Sequence, residues 1–404
     1  MVIRKLDMVG LLMALLIVFC MHSNDVKVSI FKISEILLLI YGIVNFNRFH
    51  KITRQFLWVF VIFLLITFAH NPFMEFDTKV AKNFLQMPYW CSVGRFVELF
   101  CGLSFMELVM AFFRRNSFLH SINTIFRLNF YFCVVFLGIY LLGLLHIVED
   151  VDVHGQLGRM TGLFNEGGPF GLLIALIIVL SFLFRRPRME ITLLFVCLFL
   201  SVSKAGAMLL LIFGMYKFVT LARRTRKYKM IAIVAFIPMV ALVFWLGSLL
   251  IKQYSASWSD QHAAYKYAKN NKQDFSFNAG RISGFYIGTE MLKKNPVEGI
   301  GLGNYPILRN RPEYRTFFPK IPIYDAMGFG GLADILVQQG IIGLILFLYM
   351  IRICYQRSRE STYLLLFLAV FMCGVQLTFV YPWFLIALNE IDWIEKMRAK
   401  LLFI

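Results

Sequence analysis

The residues able to do chemistry in this 404-residue chain are few, because most of it is apolar. Glu166 stands at the start of an apolar run, directly after Arg159-Met160-Thr161-Gly162-Leu163-Phe164-Asn165. A carboxylate or amide there reads two ways: Asn165 or Glu166 caps the following helix, or Glu166 serves as a general base at a membrane surface. Gly158 and Gly162 bracket Arg159. Lys204, between Ser203 and Ala205-Gly206, sits at the tip of a tight helical hairpin. There it either snorkels to headgroups or contacts a phosphate at the mouth of a site. Charges within apolar runs are expensive and mark function by default. Arg95 and Glu98 share a helix face at i,i+3 spacing and read as a mutual pair, while Glu35 and Asp334 are enclosed by apolar sequence.

The elements that must position these groups are membrane helices. The chain is 59% hydrophobic and only 16% charged, against about a quarter charged for ordinary globular chains. Apolar runs fall at 8–22, 29–46, 55–70, 88–112, 128–147, 168–185, 190–203, 205–222, 230–251, 329–351 and 362–381, with a shorter one at 382–391 that leaves its crossing open. Since about 20 residues span a bilayer, this predicts an all-α polytopic membrane protein of 11–12 transmembrane helices. No internal repeat or linker divides it, so 1–404 reads as a single transmembrane domain. Basic clusters follow the even-numbered runs: Arg48, Lys51 and Arg54; Arg114, Arg115 and Arg127; Arg185, Arg186 and Arg188; Arg223 to Lys229; Arg352, Arg357 and Arg359. That alternation places those loops and both termini in the cytoplasm. The net charge of +18 is therefore loop charge, and nucleic acid is excluded as a partner. Arg4 and Lys5 before the first run resemble a signal peptide, but no small-x-small site follows Cys20, so an uncleaved first helix is expected. Cysteine spacing offers neither a zinc site nor a disulfide framework.

One long polar insert, 252–327, lies between the ninth and tenth runs on the outer side. It carries eleven basic residues against six acidic ones. It is either a plain solvated loop or a surface that attracts an anion. Within it, apolar residues at 282, 285, 286 and 292 predict a helix from Arg281 to Lys294, stopped by Asn295-Pro296. Gly299, Gly301 and Gly303 follow, a backbone suited to tight turns or close approach. No strand precedes this GxGxG, which argues against a nucleotide loop.

Three segments together resemble the O-antigen ligase and O-antigen (polysaccharide) polymerase family of bacterial inner-membrane proteins. They are Arg159 through Asn165, then Ser203-Lys204-Ala205-Gly206, then Arg281 through Asn304 with Pro296, Gly299 and Gly301; Gly340-Ile341-Ile342-Gly343 completes the order. The resemblance covers about 150–350. It implies a GT-C-like glycosyltransferase with a large periplasmic loop, a donor glycan on undecaprenyl pyrophosphate, and no cofactor, metal or nucleotide sugar. The bilayer, a flippase and a chain-length regulator would be its partners. Arg159 and Arg281 match positions thought to hold the pyrophosphate, with Lys204 and Asn304 as further substrate contacts. Two departures stand out. Lys204 replaces an arginine common in the family, which keeps charge but loses the planar fork. Ligases also carry an outer-loop histidine before the equivalent of Gly340, whereas 327–331 here has none and the insert's only histidine is His262. This favours polymerase over ligase and leaves Glu166 and Asp334 as candidate catalytic bases. A non-enzymatic transporter or flippase is the third reading, kept alive by Arg95, Glu98 and Asp334, although transporters concentrate charge at the midplane of paired, broken helices.

Overall fold

The computed structural model describes residues 7–28, 31–144, 158–224, 281–315, 317–321, 324, 330–358 and 362–401. The ninth apolar run, the first part of the insert with His262, and 325–329 lie outside the described residues. The helices are α1 (Met8–His22), α2 (Ile33–Asn45), α3 (Lys51–His70), α4 (Trp90–Arg115), α5 (Phe118–Leu144), α6 (Gly167–Leu183), α7 (Arg188–Ser201), α8 (Lys204–Arg224), α9 (Arg281–Lys294), α10 (Tyr305–Leu308), α11 (Pro312–Arg315), α12 (Gly331–Arg357), α13 (Thr362–Met372) and α14 (Tyr381–Leu401). Among the described residues, one antiparallel strand pair, Lys27–Val28 with Phe31–Lys32, lies between α1 and α2. Among the described residues, four helical stretches are long and apolar enough to cross a membrane: Lys51–Phe73, Trp90–Arg115, Phe118–Leu144 and Gly331–Arg357. With the shorter apolar helices, they make this a multi-pass helical membrane protein.

Three boundaries differ from the hydropathy reading. Arg127, expected in a basic loop, lies inside α5, and the α4–α5 connection is only Asn116-Ser117. The run at 362–381 does not form one helix: α13 stops at Met372, where Gly374 takes φ +91°, and a new helix starts at Tyr381-Pro382. The short run at 382–391 is the buried first half of the 21-residue α14.

The chain divides into two units. The first comprises Met1–Ile62, Arg95–Leu210 and Ile345–Ile404. Here α4 is sunk in the core, with Leu103, Phe105, Met106, Val109 and Phe112 excluded from solvent. Gly102 lets Trp383 of α14 lie flush against it, since a Cβ there would fall 2.4 Å from Trp383 Nε1. Arg95 and Glu98 pair at 2.5 Å, and Lys32 joins them to Glu35. At the other end of α4, Glu107 accepts from Thr53 Oγ1 and the His50 N–H, both at 2.5 Å. Glu390, fully buried on α14, pairs with Arg357 and lies 3.2 Å from His50 Nδ1.

The second unit comprises Phe63–Gly94 and Leu211–Leu344. Its core is Ile287 and Met291 of α9 with Ile300, Tyr305, Leu308, Tyr314 and Val337, against which Met74 and Phe76 pack. The later part of the insert is thus a folded cap with its own core. α9 ends where predicted: the Asn295 N–H closes it on Met291 O at 2.9 Å before Pro296.

Candidate active site

In the first unit the Arg159 segment is built onto the α6–α7–α8 hairpin. Tyr140 Oη donates to Gly158 O at 2.8 Å, and the Met160 N–H donates to Leu200 O at 3.1 Å, so the backbone is pinned on both sides of Arg159. α6 then starts at Gly167, whose absent Cβ would stand 2.6 Å from Ser201 O and 3.3 Å from Arg159 Cβ. Val202, in the left-handed region at φ 49°, turns the chain from α7 into α8. Ser203 caps α8, accepting the Gly206 N–H at 3.1 Å, while its hydroxyl donates to Gly168 O at 2.8 Å. Gly171 and Gly206 allow this closeness: a Cβ on Gly206 would meet Gly171 O at 2.6 Å.

The result brings Arg159, Glu166 and Lys204 to one end of this hairpin. The N-termini of α6 and α8 meet there, each carrying about half a positive charge from its peptide dipoles. Lys204 is the first, exposed residue of α8, and Arg159 is half-buried. Glu166 occupies the cap position of α6 with extended backbone (φ −136°, ψ 147°), but its exposed side chain makes no capping bond. The capping role expected of Asn165 or Glu166 is therefore not made; the Asn165 N–H instead donates to Asp25 Oδ2 at 3.2 Å. Two cations and two helix N-termini facing the same end suit an oxyanion such as phosphate.

In the second unit, the glycine loop after α9 is stitched into a break in α12. Gly340 adopts φ 59°, ψ −154°, which interrupts the helical ladder. The N–H groups of Ile341 and Ile342, which would bond to 337 and 338, go to Pro296 O (2.9 Å) and Val297 O (3.1 Å). The vacated carbonyls of Val337 and Gln338 accept from Ile300 N (3.0 Å) and Gly301 N (2.8 Å). Every hydrogen bond lost at the break is thus replaced, as buried backbone requires. A Cβ on Gly340 would sit 2.3 Å from Val297 O, and one on Gly299 would sit 2.5 Å from Gln338 C.

Asn304 and Asp334 both belong to this joint. Asn304 is fully buried; its Nδ2 donates to Asn71 Oδ1 (2.7 Å) and Ile300 O (2.9 Å), and its Oδ1 accepts from Ser92 Oγ (3.4 Å) and Cys91 Sγ (3.5 Å). Both amide hydrogens of Asn304 are thus committed within the joint. Asp334 accepts from Gln338 Nε2 at 2.6 Å, and Gln338 Oε1 takes the Gly303 N–H at 2.7 Å. Arg281 opens α9.

Residues the sequence did not single out complete the joint. Thr67 Oγ1 accepts the Leu302 N–H at 2.8 Å and Gln339 Nε2 at 3.3 Å. His70 Nδ1 lies 3.6 Å from Glu298 Oε1. In the cap, Arg309 and Arg315 are both buried, and Arg315 donates from Nε to Pro319 O at 2.8 Å. Burial first, then the like charge of Arg309, hold the Arg315 guanidinium down to about 10. No local pattern marks Thr67 or His70, which simply end an apolar run.

Residues 189–348 match the family model Wzy_C, described as O-Antigen ligase. The match supports the O-antigen ligase/polymerase family, whose members are membrane enzymes of polysaccharide synthesis. It takes in Lys204, α9, the glycine loop and the Gly340 break, while Arg159, Glu166 and His70 lie before it. No curated protein matches the chain.

Proposed function

We propose that this protein is a glycosyltransferase that polymerises undecaprenyl-pyrophosphate-linked oligosaccharide repeat units into O-antigen or another surface polysaccharide. In this reading it works at the outer face of the bacterial inner membrane, with cytoplasmic termini and a GT-C-like bundle of 11–12 spans. The observation that carries it is the pairing of Arg159 and Lys204 with the meeting N-termini of α6 and α8. Glycosyl transfer from a lipid pyrophosphate needs no activation of the donor beyond stabilising the departing phosphate. Cations and helix dipoles fixed in advance do this without reorganising during reaction. Arg159 grips phosphate oxygens with its planar fork and Lys204 adds a mobile charge. Arg281, on α9, is the second arginine proposed to bind phosphate, on the family resemblance.

Asp334 is engaged with Gln338. Glu166, exposed at the cap position of α6, is the candidate catalytic base in this reading.

Ligation of finished polysaccharide to lipid A-core is the second reading, favoured by the matched family's description. Against it stands the lack of a histidine between 327 and 340. The transporter reading loses ground because Arg95 and Glu98 pair with each other and Glu98 also pairs with Lys32.

The test is surface polysaccharide length on a gel, in a deletion strain complemented with Arg159→Ala or Arg281→Ala. A polymerase leaves lipid A-core capped by a single repeat unit in the deletion and in both variants. Long lipid-linked polymer with uncapped core assigns ligation instead, and unchanged polysaccharide refutes both enzyme readings.

A further inference from the structure

We propose that the turn between α6 and α7, together with Arg127 of α5, binds the headgroup of an anionic phospholipid whose acyl chain lies along α7. Arg186 in this turn reaches α5, where it donates to Asn123 Oδ1 and sets its Cζ 5.5 Å from the centroid of the Phe126 ring. That contact brings the turn level with Arg127, which follows Phe126 and lies one helical turn beyond Asn123. Arg186 is itself neutralised by Glu190, through Nε at 2.8 Å and Nη2 at 2.7 Å. Arg127, Arg185 and Arg188 are exposed, and among the described residues their side chains have no acidic or hydrogen-bonding partner. Elsewhere in the same unit, Arg114 pairs with Glu107, Arg115 with Asp7 and Arg357 with Glu390.

Beyond Arg127, α5 continues through 128–144, a rise of about 26 Å against about 30 Å of hydrocarbon. Arg127 therefore stands where the apolar stretch begins, at the level of lipid phosphates, which satisfy a guanidinium that hydrocarbon does not. Arg185 holds the left-handed position that closes α6, at φ 51°, with its own N–H on Phe182 O (3.3 Å) and the Arg186 N–H on Ser181 O (2.9 Å). Glycine is the usual residue at such a position, so a charge stands where the backbone alone favours none.

Above Arg188, α7 is shaped for an acyl chain. Thr192, Phe195 and Phe199 follow Arg188 at helical spacing as one exposed stripe, and Phe182 of α6 packs edge-on to Phe195 with ring centroids 6.3 Å apart. From Arg188 to Phe199 the helix rises about 16 Å, roughly the hydrocarbon depth of one leaflet. Cations at one end of an apolar stripe of that length match a phospholipid; a soluble anion makes no use of the stripe. Three unpaired guanidiniums favour a headgroup with two phosphates over one with a single phosphate. The site lies at the end of α6 and α7 opposite Arg159 and Lys204, and it stands independently of the glycosyl-transfer reading.

Native mass spectrometry of the purified full-length protein in detergent, titrated with cardiolipin or phosphatidylcholine, tests the site. Wild type is expected to bind cardiolipin at least about tenfold tighter, and Arg127→Ala/Arg185→Gly/Arg188→Ala to lose roughly 100-fold in that affinity. Glycine suits the left-handed position of residue 185, so this variant is expected to fold. Arg48→Ala/Arg352→Ala, which removes exposed cations from other places, should stay close to wild type. Equal wild-type affinity for the two lipids overturns the proposal whether or not the variants fold. An equal loss in the Arg48→Ala/Arg352→Ala control also overturns it, since that marks diffuse surface charge. Full displacement of cardiolipin by an equal concentration of inorganic phosphate does the same, since that marks a bare anion site.

Discussion

Replacing Gly340 by alanine tests whether the cap is held by the break in α12. The residue sits at φ 59°, ψ −154°, a conformation costing a non-glycine residue roughly 1–3 kcal/mol. The new Cβ would also lie 2.3 Å from Val297 O and 2.5 Å from Val297 C, backbone atoms that cannot rotate away. The loop must retreat, and the bonds nearest the clash, Ile341 N to Pro296 O and Ile342 N to Val297 O, are stretched or lost. Leaving those buried groups unsatisfied adds about 1–3 kcal/mol apiece. The total is at least about 3 kcal/mol. Domains of 150–250 residues lose roughly 2–4 °C of Tm per kcal/mol, and this longer chain loses less per kcal/mol, so a fall on the order of 5 °C is expected. Thermal unfolding in detergent, followed by tryptophan fluorescence, measures it. Gly138→Ala is the control: it lies in α5 with nothing within 4 Å of its would-be Cβ, and should melt at or slightly above wild type. Gly299→Ala should be strongly non-additive with Gly340→Ala, since both open the same joint. A Gly340→Ala protein melting with wild type would refute the reasoning.

Other outcomes follow from the same structure. Lys204→Arg should retain polysaccharide elongation and Lys204→Glu abolish it, as read from polymer length on a gel, because charge at the α8 N-terminus is what matters. Arg357→Ala should destabilise the first unit by about 3–5 kcal/mol by leaving Glu390 buried without its guanidinium, seen as early melting or loss of folded protein on size-exclusion chromatography. Asn304→Asp should cost stability in the same assay, since it removes both amide donations to Asn71 and Ile300, whereas a direct glycan contact would raise KM and leave melting unchanged.

What the sequence determined by itself was the class of molecule and the outline of its helices. Hydropathy adds up locally, so a window of apolar residues declares a membrane helix wherever it is placed. The end of α9 at Asn295-Pro296 and the Arg95–Glu98 pair were equally legible, because both depend on neighbours within one turn. Local sums do not register a break that leaves composition unchanged, and α13 therefore stopped at Met372 inside a continuous apolar run. Partners distant in sequence were decided only by tertiary structure. Gly340 reads as an ordinary helix interruption until Val297 is found where its Cβ would be. Asn304 reads as a polar residue of an outer loop until Asn71, Cys91 and Ser92 close around it. His70 reads as the end of a span until the fold sets it beside Glu298, more than two hundred residues away. Hydrogen bonds and proton transfers depend on distances of a few ångströms, and for residues so far apart along the chain only the packed fold sets those distances.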